Sequence, residues 1–325
     1  MRILVFILTI LLVLAFAASL LAGRVWIAPH DLFSGDIFSG RNLASLIVLD
    51  IRLPRTLLAL MMGASLGLAG AVLQGLTRNP LAEPGLLGVS TGAALGAVIA
   101  IYFGVTAISV LAGPLFGLIG ALAACALTFA LGQGGTIALI LAGAAVSSLT
   151  AAGIALALNF APNPYAAYEI MNWLLGSLAD KSWTQVFLVA PFVILGGALL
   201  ATTGRALDAL SLGEAQAESL GIDLNRLRLT VVAGTALAVG AATSVTGAIG
   251  FIGLVAPHLA RPFVGYLPGR IMAPAALGGA LLLILADIAV REIHLGPEIK
   301  LGVFTALIGA PFFFWLVLRL RKVAP

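Results

Sequence analysis

The chain has 325 residues, of which 61% are hydrophobic and only 9% are charged. Soluble domains carry roughly a quarter charged residues, so this composition excludes an ordinary globular protein and predicts an all-α polytopic membrane protein. The net charge of +4 comes from lysines and arginines scattered singly along the chain, which excludes a basic stripe for nucleic acid and is typical of the loops of a protein in a lipid bilayer. The single cysteine, Cys125, allows neither a disulfide nor a cysteine metal cluster.

Apolar runs predict about ten transmembrane helices in one domain that covers residues 1–325. The predicted spans are residues 3–21, 54–76, 86–104, 111–131, 136–159, 184–203, 228–247, 250–265, 272–290 and 300–318. The short span 250–265 and the partly apolar stretch 161–183 allow a count of about nine to eleven. A cleaved signal peptide competes with the first span, but the run is longer than a usual signal core of about 7–15 residues, so we favour a retained helix.

Basic residues near the C-terminus predict the orientation. An even number of spans places both termini on one side, and Arg319, Arg321 and Lys322 indicate that this side is the cytoplasm. The sequence therefore predicts a multi-pass membrane protein with both termini in the cytoplasm.

Three arginines then lie near span ends on the outer side, where positive charge is disfavoured. They are Arg52, Arg55 and Arg291. In one interpretation each pairs with a local acid such as Asp50 or Asp287, and the spacing of Asp287 and Arg291 suits an i,i+4 ion pair. In the other, the three form a basic docking rim for an acidic partner outside the membrane.

Residues 204–227 interrupt the apolar pattern with a polar segment, which we call the coupling loop. Gly213 and Gly221 predict its division into two short helices, and Asp223 is placed to cap the helix that follows. Its leucines recur at helical spacing, at positions 207, 210, 220, 224 and 227. This pattern predicts an exposed apolar stripe that docks a soluble protein, and a solvated loop with incidental helical character is the alternative.

The chemistry of an enzyme or an ATPase is not apparent in the sequence. None of the three lysines belongs to a GxxxxGK[ST] phosphate-binding loop, and the three histidines form no HExxH motif. Asp287, one turn from a span end, is the one acid within the predicted spans, whereas ion-coupled transporters commonly keep ionisable groups near the midplane. The sequence therefore predicts a transport pathway with no catalytic residue, metal site or bound cofactor, driven by another protein.

Several segments resemble a known family in the family's own order. They are residues 52–55 with Gln74, 78–90, 209–214 with 220–222, 247–261, 287–291 and 305–313. They are spread along residues 52–313 and resemble the FecCD family, the ABC-importer permeases for iron–siderophores, haem and cobalamin. The resemblance implies a location in the bacterial cytoplasmic (inner) membrane. One departure is Lys300, where the family usually has proline, and it weakens any direct transfer of detail at the outer mouth.

The resemblance implies the ten-helix, cobalamin-permease-like fold of type II ABC importers and a set of partners. The implied partners are a second permease subunit (a homodimer, with a close heterodimer as the alternative), two cytoplasmic ABC ATPase subunits that use ATP and Mg, and a periplasmic or surface-anchored substrate-binding protein.

Residue roles also follow from the resemblance. The implied ATPase-coupling residues are Leu212, Gly213, Glu214, Ala215, Glu218, Leu220 and Gly221. The implied binding-protein docking residues are Arg52, Arg55 and Arg291, and the implied cytoplasmic gate residues are Asn79, Pro80, Leu81, Gly135 and Thr136.

Two other function classes compete with an ABC-importer permease. A self-sufficient secondary carrier is disfavoured by the missing midplane charges and by the coupling loop. A membrane-embedded enzyme requires a clustered nucleophile, acid pair or metal site, and the sequence contains none that we recognise. Among permease substrates, an iron–siderophore or related metal chelate is the expectation, and cobalamin or haem is the alternative.

Overall fold

The computed structural model describes residues 1–23, 26–28, 43–293 and 298–321. Lys322 and the side chains of Arg319 and Arg321 lie outside this part of the chain, so the predicted orientation stays a prediction.

Within the described ranges the regular structure is helical. In chain order the main helices are α1 (Arg2–Leu21), α2 (Leu43–Thr77), α3 (Val89–Tyr102), α4 (Ala112–Leu131), α5 (Thr136–Asn159), α6 (Pro164–Leu174), α7 (Trp183–Ala201), α8 (Gly204–Leu210), α9 (Glu214–Ser219), α10 (Leu224–Thr246), α11 (Ile252–Val264), α12 (Pro268–Glu292) and α13 (Leu301–Arg321). Short 3₁₀ turns cover Pro84–Leu87 and Val105–Ala107, and π-helical turns lie within α2 at Ile47–Arg52 and within α10 at Ala236–Gly240.

The prediction of an all-helical membrane protein is confirmed. In the described part of the chain, 7 helices are long and apolar enough to cross a membrane, and α3, α11 and the apolar part of α13 are shorter apolar helices. Together they match the ten predicted spans.

Two details differ from the sequence prediction. Helix α2 begins at Leu43 rather than near residue 54. The partly apolar stretch after α5 forms the separate helix α6, which starts at Pro164 behind the capping side chain of Asn163. Its 11 residues extend only about 16 Å, too short for a span.

Small residues let α2 lie at the centre of the bundle. A Cβ atom at Gly63 or Gly67 would collide with the backbone of α12 at Gly279 or Ala275, and one at Gly70 would collide with α11. Close backbone approach of this kind increases the van der Waals contact between the helices. This contact is important in lipid, where the hydrophobic effect does not drive apolar helices together. Because α2 and α12 both run the length of the bundle, they connect the two polar regions described next.

Candidate functional sites at the two ends of α2

The three arginines predicted to dock a partner gather around the N-terminal part of α2, where Arg52 and Arg55 lie. Asp287 of α12 is fully buried and accepts a hydrogen bond from Arg55 Nε at 2.9 Å. The same carboxylate forms an ion pair with Arg291, Nε to Oδ2 at 3.1 Å, and Arg55 also contacts Glu298. The predicted pairing with a local acid is therefore observed for Arg55 and Arg291, with Asp287 as the acid. We call these five residues, including Arg52, the arginine cluster.

Two members of the arginine cluster also complete the end of α1. The last turn of a helix leaves carbonyl oxygens without partners, and here Arg52 and Arg291 donate hydrogen bonds to them. The acceptors are the carbonyl oxygens of Ser19, Leu20, Leu21 and Ala22, at 2.6–3.1 Å. The sequence analysis missed this role, because spacing along the chain does not show which helix end an arginine reaches.

The arginine cluster is only slightly accessible. Arg52, Arg55 and Arg291 are each buried, and they line, with Glu298 and several apolar residues, an open pocket of about 250 Å³. Their guanidinium groups are therefore already engaged within the chain and have little accessible surface.

The coupling loop lies at the opposite end of α2 and has the predicted local structure. Helices α8 and α9 are separated at Gly213, whose φ of +118° favours glycine, and α9 is followed by Gly221 with a φ of +83°. The side chain of Asp223 accepts a hydrogen bond from the backbone N–H of Arg226 at 3.0 Å and caps α10.

The prediction that the coupling loop exposes an apolar stripe is wrong for most of its leucines. Those at positions 207, 210, 224 and 227 are buried, whereas Leu220 is 64% exposed and the neighbouring Leu212 is 65% exposed. The short helices turn their leucines inward because they pack on the ends of α2, α10 and α12. The leucines that the loop exposes are therefore Leu212 and Leu220.

Helix α8 is anchored to α12. The carboxylate of Asp208 accepts a hydrogen bond from the backbone N–H of Gly269 at 2.7 Å, in the first turn of α12, where backbone donors are otherwise free. The two residues are 61 positions apart in the sequence. This bond ties the coupling loop to the centre of the bundle.

The first predicted gate segment, Asn79 to Leu81, is a turn next to the coupling loop. Arg78 adopts a left-handed φ of +48° and ends α2, and Asn79 Oδ1 accepts a hydrogen bond from the N–H of Leu81 at 2.9 Å. Pro80 lines an open pocket of about 230 Å³ together with Ser211 of the coupling loop. Proline thus marks the predicted break in the helix.

The second predicted gate segment touches the coupling loop directly. Gly135, with a φ of +112°, starts α5. Thr136 Oγ1 donates a hydrogen bond to Glu214 Oε1 at 2.8 Å, and Arg228 Nη2 lies 3.3 Å from the same oxygen. The structure therefore places the coupling loop between the two predicted gate segments, which the sequence did not reveal.

Burial affects one acid beside the first gate segment. Glu83 lies between α2 and α3, outside the spanning helices, and burial raises the pKa of its carboxyl group above the usual range. In the described residues no group of three or more His, Cys, Asp or Glu side chains is arranged to hold a metal ion.

A bundle of apolar helices with polar clusters at both ends of its central helix defines a multi-spanning membrane protein. The model of the FecCD transport family matches residues 11–319. The chain belongs to this family and is a membrane permease.

Relatives of known name cover nearly the whole chain. The Yersinia pestis hemin transport system permease protein HmuU is 40% identical over 283 residues, covering 85% of this chain and 84% of the relative. The vitamin B12 import system permease protein BtuC of Escherichia coli O9:H4 (strain HS) is 40% identical over 320 residues, covering 97% and 94%. A solved metal-chelate type ABC transporter in an inward-facing conformation superposes with a TM-score of 0.88 at 32% identity, covering 98% of this chain and 100% of that one.

Proposed function

We propose that this chain is the membrane permease subunit of an ABC importer that moves an iron–siderophore or a related metal chelate into the cell. The observation that carries the proposal is the similarity to permeases named for hemin transport and for vitamin B12 import, over 85% and 97% of the chain, and to a metal-chelate type transporter, over 98% of it. The hemin and vitamin B12 relatives are equally identical to this chain, at 40%, so cobalamin and haem are alternative substrates of the same machine.

The proposed ATPase contact is the coupling loop. Of the seven residues predicted there, Leu212, Ala215, Glu218, Leu220 and Gly221 are exposed, and Gly213 and Glu214 are partly exposed. Two cytoplasmic ATPase subunits, which bind ATP and Mg, would each meet this surface on one permease of a homodimer. This arrangement places both termini in the cytoplasm and the predicted gate residues Asn79, Pro80, Leu81, Gly135 and Thr136 at the inner mouth.

The proposed contact for the substrate-binding protein is the pocket beside Arg52, Arg55 and Arg291. A pocket lined by cationic groups is complementary to acidic side chains, and the pocket lies at the end of α2 opposite the coupling loop. These arginines already form bonds within the chain, so a partner reaches them only through the parts of their guanidinium groups that are accessible from the pocket.

Reconstitution tests the proposal. The permease, its ATPase and its binding protein are placed in liposomes, and uptake of an iron–siderophore, haem and cobalamin is measured with ATP, with a non-hydrolysable ATP analogue and with an ion gradient alone. We expect uptake of one chelate that requires hydrolysable ATP. Uptake by the permease alone, driven by the ion gradient, would show a secondary carrier instead.

A further inference from the structure

Glu214, one of the predicted ATPase-coupling residues, contacts residues of two other helices. Its carboxylate oxygen Oε1 accepts the hydrogen bond from Thr136 at 2.8 Å and faces Arg228 at 3.3 Å. The neighbouring acid Glu218, one turn further along α9, is exposed. The two acids of α9 therefore have different surroundings, although the sequence assigns both to one docking surface.

The contacts of Glu214 join three helices at their beginnings. Glu214 is the first residue of α9, and Thr136 is the first residue of α5. Arg228 lies in the first turns of α10, and its side chain is only 10% exposed. Gly135, just before α5, lies beside the same guanidinium group. We call the bonds of Glu214 to Thr136 and Arg228 the Glu214 contact.

The two short helices of the coupling loop are held in different ways. Asp208 ties α8 to the first turn of α12, whereas the Glu214 contact ties α9 to the start of α5 and to α10. Helix α5 begins at a glycine with positive φ, a conformation that frees the backbone to turn sharply. A displacement of α9 therefore acts on the predicted gate at Gly135 and Thr136.

We propose that Glu214 is a positioning residue that transmits movement of α9 to the start of α5, and that it does not bind the ATPase. The proposal rests on the proposed function and changes one assignment within it. A hydrogen bond to a charged acceptor is stronger than one between neutral groups, and it is directional, so a single carboxylate oxygen is sufficient to couple the two helix ends. The exposed residues of the coupling loop are left to contact the ATPase; they are Leu212, Ala215, Glu218, Leu220 and Gly221.

The experiment uses the full-length permease co-expressed with its ATPase, with Cys125→Ser and Ile137→Cys introduced so that a spin label reports on the start of α5. Ile137 is 76% exposed, so the label replaces no packed side chain. The variants are Glu214→Ala, Glu214→Gln, Thr136→Val and the double change Glu214→Ala with Thr136→Val. Thr136→Ser is the conservative variant, and Gln133→Ala is the matched control, because Gln133 is an exposed polar residue that bonds only its own turn at Phe129 in the described structure.

We expect Glu214→Ala and Thr136→Val to retain the ATPase through purification and to hydrolyse ATP. The change in label mobility on adding ATP should fall about tenfold, the order of effect of one charge-assisted hydrogen bond. The double variant should be no worse than Glu214→Ala alone, because Glu214→Ala already removes the bond to Thr136 as well as the bond to Arg228. Thr136→Ser keeps the hydroxyl donor and should retain the response, and Gln133→Ala should leave it unchanged. Glu214→Gln keeps an acceptor of the same shape, and we expect an intermediate response.

Two results would overturn the inference. Loss of the ATPase in Glu214→Ala but not in Thr136→Val would return Glu214 to the docking surface and leave the proposed function intact. An unchanged ATP response in both variants would show that the Glu214 contact transmits nothing. If the wild-type permease captures no ATPase, the proposed function fails. The mobility of the spin label in the permease alone then still tests whether the Glu214 contact holds the start of α5. In that case the start of α5 should be more mobile in both variants, and equal mobility would refute the contact.

Discussion

The arginine cluster and the coupling loop both carry charged residues near span ends, yet they differ in what those residues contact. In the arginine cluster, Arg52, Arg55 and Arg291 are buried and bonded to a buried acid, to Glu298 or to the end of α1. In the coupling loop, most of the predicted docking residues are exposed. A charged side chain near a membrane boundary therefore stabilises the fold where it bonds to a helix end or to a buried acid. It is available to a partner where it makes no such bond and is exposed.

The largest expected effect that tests this comparison comes from removing the buried acid. Asp287→Ala leaves the buried guanidinium groups of Arg55 and Arg291 without their shared carboxylate, and breaking a buried pair in this way typically costs about 3–5 kcal/mol. We expect a lowered thermal midpoint for the purified permease in detergent, measured by intrinsic tryptophan fluorescence. Asp50→Ala, at an exposed acid close to the same cluster, is the control and should unfold like the wild type.

An Asp287→Ala variant as stable as the wild type would mean that the arginine cluster does not hold α1, α2 and α12 together. This result would contradict the interpretation that the three arginines serve mainly to pair with local acids. It would favour the interpretation that they dock a partner.

A smaller effect is expected from the accessible surface of the coupling loop. Leu220→Glu changes an exposed side chain, so the stability of the permease should not change, but an apolar contact with the ATPase would be lost. We expect the dissociation constant for the ATPase to rise about tenfold or more, as at interface residues that contribute strongly, measured by titration of the labelled permease.

Leu207→Glu is the informative comparison, because Leu207 is fully buried within the same loop. It should unfold the loop and lower stability, since a buried charge without a partner is costly. If Leu220→Glu binds the ATPase as the wild type does, Leu220 is not part of the contact.

The smallest expected effect lies at the exposed edge of the arginine cluster. Glu298 is partly exposed, with its side chain 31% accessible, and it contacts Arg55; such a pair contributes about 0–1 kcal/mol to stability. Glu298→Gln removes a carboxylate that would repel an acidic partner. We expect the binding protein to bind about threefold more tightly at low ionic strength, with the difference disappearing in high salt because of screening.

Surface plasmon resonance on the permease in nanodiscs would measure this affinity across a salt series. Equal affinities of Glu298→Gln and the wild type at low salt would indicate that Arg55 serves the internal network alone.

The sequence by itself was sufficient for the class and the order of the helices. Apolar runs of span length have few alternatives in a membrane, because backbone groups in lipid must bond within a helix. Local signals were also read correctly where the bonding partner is near in the chain. Gly213 and Asp223 act on their own turns, and Asp287 pairs with Arg291 one turn away.

Only the tertiary structure decided which side chains face a partner. The leucines at 207 and 224 have the same helical spacing as Leu220, but the packing of α8 and α10 against the bundle buries the first two and not the third. The bonds of Asp208 to Gly269, Glu214 to Thr136 and Arg291 to the end of α1 join residues 61, 78 and about 270 positions apart. No periodicity in the sequence encodes such pairs, because they depend on which helix ends meet in space.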